Sequence, residues 1–404
     1  MRFLSLFLAG WLSACAVADF GPLGESQASY AAQHQYFAEF CALSQIKKKR
    51  GFGADIRGEI GGHSVFYLNG ACRETGTAYP VLRLCDRPGD EDGVGLSMNE
   101  HFRNAKWSAT PGHDFFFDGD LAPGAPVTRA TYRAVQAEAK RLGIYDGIEF
   151  HDMVFDAMPA GWTRRDWKYE MSIATDYAIG LGRGRYCAKV PVDRAAMQRM
   201  IDFLNRENAP YRAGAVFKWS VFQDNCIHLA HNALTAAGLW PEWRINQFLP
   251  WAILNFPVPK NEFVNLMRRT NEIPTDPGAV YRDDAARTSL LTQGILPARP
   301  GGLADAQPPH QPNDVYDTEL KMIFYDEPMF GSYQGWFDRI FSDPSYTEAA
   351  ANRSRFAAVA RRVLAERKPL DWWLERRPFH TDPVGFTPVY DRYYALMSEF
   401  ATAE

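Results

Sequence analysis

Phe222-Gln223-Asp224-Asn225-Cys226-Ile227-His228-Leu229-Ala230-His231-Asn232-Ala233-Leu234 puts a cysteine on the first turn of a helix. Asp224 and Asn225 both suit an N-cap, because a short side-chain oxygen accepts from backbone N–H groups that a helix start leaves unpaired. The Ala- and Leu-rich run stops at Gly238, with Pro241 just beyond. A thiol at this end meets the positive pole of the helix dipole and unbonded N–H groups. Both stabilise the thiolate, which is the nucleophilic form. The competing reading is a small packed residue, since cysteine is among the most buried types.

A thiolate nucleophile needs an imidazole nearby. His228 and His231 follow Cys226 by two and five residues, and neither spacing shares its helix face. The same geometry argues against Cys226, His228 and His231 as a metal-ligand set. No cofactor is called for. The base must therefore come from elsewhere in the chain.

The best candidate is His63, in Gly58-Glu59-Ile60-Gly61-Gly62-His63-Ser64-Val65-Phe66-Tyr67-Leu68-Asn69-Gly70. Val65 to Leu68 read as a strand, and Asn69-Gly70 is a two-residue hairpin signal. Alternation puts His63, Val65 and Tyr67 on one face. Gly61 and Gly62 leave room for a ligand or another backbone at the start of the strand. A hairpin there would pair Tyr67 with Cys72, Val65 with Glu74 and His63 with Gly76. Glu74 would then sit on the face of His63 as an orienter of the imidazole, with Asn69 and Tyr67 as alternatives. His101 and His113, on loops, are runner-up bases. His151 reads as a half-buried structural histidine.

The Gly-His-Ser-Val-Phe-Tyr-Leu strand, followed much later by Asp-Asn-Cys at a helix start, resembles a permuted papain-like (NlpC-type) cysteine fold. In that group the histidine strand precedes the cysteine helix. Within it, residues from about 58 to 240 are similar to the periplasmic domain of the lipoprotein N-acyltransferase (Lnb) family. The resemblance implies an α+β fold whose core is an antiparallel sheet, with a Cys226–His63 pair in its active site. It also implies thioester chemistry at a membrane surface, with phospholipid as acyl donor and a lipoprotein amine as acceptor.

The N-terminus reads as an export signal. Arg2 precedes a short apolar core, Phe3 to Trp11, too short to span a bilayer. Leu12-Ser13-Ala14-Cys15 looks like a lipobox and predicts lipidation of Cys15, which would anchor the protein to the periplasmic side of the outer membrane. Ala16-Val17-Ala18 is an overlapping ordinary cleavage site. Beyond Cys15 there are five cysteines: Cys41, Cys72, Cys85, Cys187 and Cys226. In an oxidising compartment four can pair, in three possible ways, and the one left over with a helix-start setting is Cys226. A net charge of −4 argues against a nucleic-acid partner.

Three regions follow: a leader over 1–18, a catalytic domain over 19–258 and a mainly helical region over 259–404. Tyr79 to Cys85 and Arg185 to Val192 read as strands. Thr128 to Leu142 and Asp193 to Asn205 read as helices. Residues 86–120 read as loop-rich, and the Pro-rich 296–313 reads as a loop. A strand near 320–325 and helices near 331–341, 347–367 and 391–401 complete the pattern. The aromatic run from Trp240 to Val258 suits a connector packed on the core or the lining of an acyl groove. The leading expectation is an exported cysteine acyl enzyme. Its rivals are a peptidoglycan amidase or peptidase with the same dyad on a cell-wall peptide, and a non-catalytic envelope-binding module whose cysteines are structural.

Overall fold

The computed structural model describes residues 15–16, 26–54, 57–58, 62–87, 93–246, 258–319, 322–323 and 332–402. Most of the leader, the Cys15 side chain, Glu59 to Gly61 and the aromatic run 247–257 lie outside the described residues.

In chain order the first strands are β1 (Cys15–Ala16), β2 (Phe37–Leu43), β3 (Ile46–Lys47), β4 (Arg57–Gly58) and β5 (His63–Asn69), with helix α1 (Gln27–Gln33) before β2. Next come β6 (Ala71–Arg73), β7 (Leu82–Leu84), β8 (Val94–Ser97) and β9 (Ser108–Pro111), then α2 (His113–Asp118), α3 (Arg129–Arg141) and α4 (Arg164–Ser172). Strand β10 (Arg185–Pro191) leads to α5 (Arg194–Arg212) and α6 (Cys226–Ala236). The later part holds α7 (Pro259–Asn271), α8 (Pro277–Arg282), α9 (Asp284–Gln293), β11 (Leu303–Gln307) and β12 (Met322–Ile323). It ends with α10 (Tyr333–Ser342), α11 (Ala349–Ala365), α12 (Leu370–Leu374) and α13 (Pro383–Thr402).

The fold is α+β. Its centre is a six-stranded sheet in the order β11-β10-β2-β5-β8-β9, antiparallel throughout. Every residue of β2, β5 and β10 is buried, as expected of central strands covered on both faces. Alternation divides the side chains between two cores. Ala38, Phe40, Ala42, Phe66, Leu68, Leu96 and Ala188 join the core that also holds Met197, Met200, Leu229 and Phe263. On this side α6 packs against α5 and β5, and α7 packs against β2 and β10. Phe37, Cys41, Val65, Tyr67 and Cys187 turn the other way, toward Tyr30, Phe116, Phe117 and Ile179.

The second face also carries buried charges. Arg185 donates two hydrogen bonds of 2.9 Å to Asp118, His113 Nε2 lies 3.2 Å from Glu39, and Lys189 lies 3.8 Å from Asp305. Paired opposite charges are the condition under which such groups can be buried at all. Among them, Cys41 and Cys187 sit directly opposite each other on β2 and β10 and are joined by a disulfide. A second disulfide, Cys72–Cys85, clips β6 to β7. Cys226 is in neither, so the odd cysteine is the one the sequence singles out. Two disulfides fit an oxidising, exported environment. Among the described residues, no helix is long and apolar enough to cross a membrane.

Several sequence expectations need correction. Asn69-Gly70 does turn the chain, with Gly70 at φ +95°, but β5 does not pair with β6. Strand β5 takes β2 and β8 as partners, which bury it on both edges, while β6 is drawn off to β7 by the Cys72–Cys85 bond. The register that placed Glu74 across from Val65 therefore does not exist, and the Glu74 N–H bonds to the Val81 carbonyl instead. Residues 86–120 are loop-rich but also supply β8, β9 and α2, which puts His113 on a helix. The Pro-rich 296–313 contains β11, an edge strand of the main sheet. Helix α5 runs on to Arg212, with Pro210 tolerated in its last turn.

The segment after residue 258 is not purely an appendage, because α7 and β11 complete the first core and the sheet. Phe356, Phe386, Val389 and Tyr393, with their neighbours on α8, α9 and α11 to α13, enclose a separate apolar cluster.

Candidate active site

Cys226 opens α6, and Asn225 is its N-cap, with extended backbone at φ −130°. The Asn225 Oδ1 accepts from the N–H groups of Ile227 (3.0 Å) and His228 (3.3 Å). In return His228 Nδ1 accepts from the Asn225 N–H at 3.3 Å. This is a capping box in which a histidine fills the role usually taken by Glu or Gln. Burial, with the Lys106 ammonium nearby, lowers the His228 pKa to about 4. Its ring is therefore neutral near pH 7 and Nδ1 is able to accept. His228 is thus spent on the helix start.

The loop before Cys226 is tied down as well. Asn225 Nδ2 donates to the Val221 carbonyl at 2.7 Å, and Asp224 lies 3.0 Å from Lys106 Nζ. Lys106 also pairs with Glu207 at 2.6 Å. Burial lowers the Lys106 pKa, but the two carboxylates outweigh it and the net shift is upward. Cys226 itself is partly buried against the first core.

His231 does not face this loop start. Its Nδ1 contacts Glu262, its Nε2 lies 3.0 Å from the Pro241 carbonyl, and its ring stacks between Trp240 and Trp243. The described part of the aromatic run is therefore a connector packed on α6.

His63 begins β5, the strand on which α6 packs, and it is 6% exposed. It has the parity of Val65 and Tyr67, whereas Ser64 has that of Phe66 and Leu68 on the helix-covered face. The imidazole Nε2 lies 3.1 Å from Ser97 Oγ, at the end of the neighbouring strand β8. Ser97 Oγ donates to Asp176 Oδ1 at 2.6 Å and lies 3.2 Å from the Thr175 carbonyl. The other carboxylate oxygen, Oδ2, accepts from Asn99 Nδ2 (3.0 Å) and Tyr145 Oη (2.9 Å). Asp176 has no exposed surface. Burial raises its pKa, these donors oppose the rise, and the net position is about 6.

The turn that presents Asp176 is unusual. Ala174 and Ala178, on either side of it, both have left-handed backbone, at φ +62° and +50°. Such conformations are costly for residues with a Cβ, and they cluster at functional sites. Neither Ser97 nor Asp176 stands out in the sequence. The two alanines carry no residue-type signal of a strained turn.

The remaining histidines have other tasks. His113 is buried against Glu39 and Asp114. Burial lowers its pKa, but the bonds to Asp114 and Glu39 win and hold it above the usual histidine value. His151 Nε2 lies 3.1 Å from the Phe217 carbonyl, and the His101 ring tilts toward Phe150. A cleft of about 350 Å³ opens beside Tyr145, Arg165 and Lys168. Neither Cys226 nor His63 lines it. Among the described residues, Glu39, Cys41 and Cys187 are the one grouping with metal-ligand spacing, but both sulfurs are committed to the disulfide. No family model matches this chain, and no curated protein or solved structure matches it.

Proposed function

We propose that this protein is an exported cysteine-dependent acyl enzyme, with the Cys226 thiolate as nucleophile and His63 as its base. The observation that carries the reading is the packing of one helix on one strand. The thiol left out of both disulfides stands on a capped helix N-terminus, and its helix packs on the strand that His63 opens. Helix-start N–H groups favour the thiolate and provide donors for an oxyanion. The parity of β5 sets His63 with Val65 and Tyr67, so this reading requires the imidazole to reach the thiol around the end of the sheet and not across its face.

The Cys226 sulfur attacks an ester or amide carbonyl after His63 takes its proton. A C–S bond forms, and the C–O or C–N bond breaks. The leaving alcohol or amine takes the proton back from His63. An incoming amine then resolves the thioester by transfer, or water by hydrolysis. Phospholipid as donor, a lipoprotein amine as acceptor, a periplasmic site and a lipid on Cys15 follow from the resemblance and the lipobox. A disulfide at Cys226 would have favoured a structural binding module, and Cys226 is in none.

The test is intact-mass measurement after incubation with phosphatidylethanolamine vesicles. An acyl adduct is expected on the native protein and absent from Cys226→Ala. Cleavage of a cell-wall peptide with no lipid adduct would replace acyl transfer by wall hydrolysis. Unchanged activity in Cys226→Ala would end the thiol reading altogether.

A further inference from the structure

Neutral imidazole carries one hydrogen on two nitrogens, and a base must present the bare one to its target. What sets that choice for His63 can be read from hydrogen-bond direction. A carboxylate and a peptide carbonyl only accept. The one hydroxyl hydrogen of Ser97 therefore goes to Asp176 Oδ1, the shorter of its two oxygen contacts at 2.6 Å, and not to His63. Ser97 is left offering a lone pair to the ring nitrogen 3.1 Å away, so His63 Nε2 must be the donor.

We propose that Ser97 and Asp176 are positioning residues that hold His63 as the Nε2–H tautomer, leaving Nδ1 as the atom that takes the thiol proton. This rests on the Cys226–His63 reading for its catalytic meaning, but the tautomer itself does not. The relay fills the place that the sequence assigned to Glu74, with partners from β8 and from the strained turn at residues 174–178. Its direction is fixed from the far side. Asn99 and Tyr145 both donate to Asp176 Oδ2, so that oxygen must accept, and Oδ1 is the oxygen that faces Ser97.

That arrangement makes Asp176→Asn an informative, nearly isosteric change. The carbonyl of the new amide is held at the Oδ2 position by the same two donors. Its NH₂ group then faces Ser97, and the Ser97 hydrogen must leave Asp176 for one of its other two neighbours, the Thr175 carbonyl at 3.2 Å or His63 Nε2 at 3.1 Å; in the second case the imidazole hydrogen moves to Nδ1.

The experiment is ¹⁵N-histidine NMR of the full chain near pH 8, alongside the rate of Cys226 alkylation by iodoacetamide. Native protein should show His63 with its hydrogen on Nε2, and Asp176→Asn should show a population shifted toward Nδ1. Alkylation should slow in step with that shift, by up to roughly 10²-fold, the scale of a general-base contribution. Ser97→Ala should lose the tautomer preference, and Ser97→Thr, which keeps the hydroxyl, should restore it. A native His63 with its hydrogen on Nδ1 overturns the proposal without any variant. So does an unchanged tautomer preference in a folded Ser97→Ala protein. If the tautomer moves as stated while alkylation ignores both Asp176→Asn and His63→Gln, the relay stands and the Cys226–His63 reading fails.

Discussion

His231 Nδ1 lies 2.7 Å from Glu262 Oε1, and this contact joins α6 to α7 across the first core. Both side chains are nearly inaccessible to solvent, at 6% and 3% exposure. The ring between them and the chain beyond is clamped by Trp240 and Trp243, at 4.2 and 4.4 Å between centroids. Truncating one member strands the other's polar atoms away from water. His231→Ala should therefore cost about 3–5 kcal/mol, the range for breaking a buried pair by removing one partner. Urea unfolding would measure it, and a cost below about 1 kcal/mol would show the pair is not coupled to the fold.

Cys226 and His63, if they act as one unit, should not contribute independently. Cys226→Ala, His63→Ala and the double variant should be about equally inactive, because each single loss already removes the whole device. The measurement is initial rate of acyl transfer for all three at matched folded fraction. Additive losses would mean that the two side chains work separately.

The disulfides should differ in what they contribute. Cys41–Cys187 closes a separation of 146 residues and Cys72–Cys85 one of 13. In the chain-entropy view the longer loop restricts the unfolded chain more, with about 3 kcal/mol for a short loop and nearer 5 for a long one. Paired Cys→Ala substitutions compared by denaturant midpoint should show the Cys41–Cys187 pair losing more. Equal losses would place the stabilisation in native packing instead.

Asp176 should leave a mark on stability against pH. Its folded pKa, about 6, is above the ordinary aspartate value, so the native state holds this proton more tightly than the unfolded chain. The resulting contribution is full below about pH 4 and is lost as pH rises through about 6, by roughly 3 kcal/mol for a two-unit shift. The groups facing this carboxyl are Ser97, Asn99, Tyr145 and Ser172, with His63 behind Ser97. Native stability relative to Asp176→Asn should therefore fall between pH 4 and pH 7. A flat difference would mean that Asp176 titrates as it does in the unfolded chain.

What could be read in the sequence was local. Asn225 before a helical run announces a cap, and the cap forms as expected, because that signal needs only neighbours three residues away. The odd cysteine count left one thiol over and the helix-start setting picked Cys226, and neither signal needs a pairing scheme. The β5 strand was visible in its own apolar run. Its partners were not, since β2 and β8 lie on either side of it and the nearby turn suggested a different neighbour. Ser97 and Asp176 are 79 positions apart, and no pattern in one stretch implies the other. The α+β class was legible, whereas β11 was hidden in a Pro-rich segment by its short, alanine-containing sequence Leu-Ala-Asp-Ala-Gln.

Strand β2 has β5 on one side and β10 on the other, and the covalent bond between Cys41 and Cys187 belongs to the later of these pairings. When the chain emerges in N-to-C order, residues 37–69 appear long before residue 185. The β2–β5 ladder can then form early, but it keeps an open edge of backbone donors and acceptors until β10 arrives. Such an edge is a template for pairing with another chain. The interval is set by the topology, so it closes only when β10 arrives and an oxidant seals Cys41 to Cys187. Without that oxidant the chain should accumulate as aggregate, while the helix that Cys226 opens, whose cap is local, remains able to form.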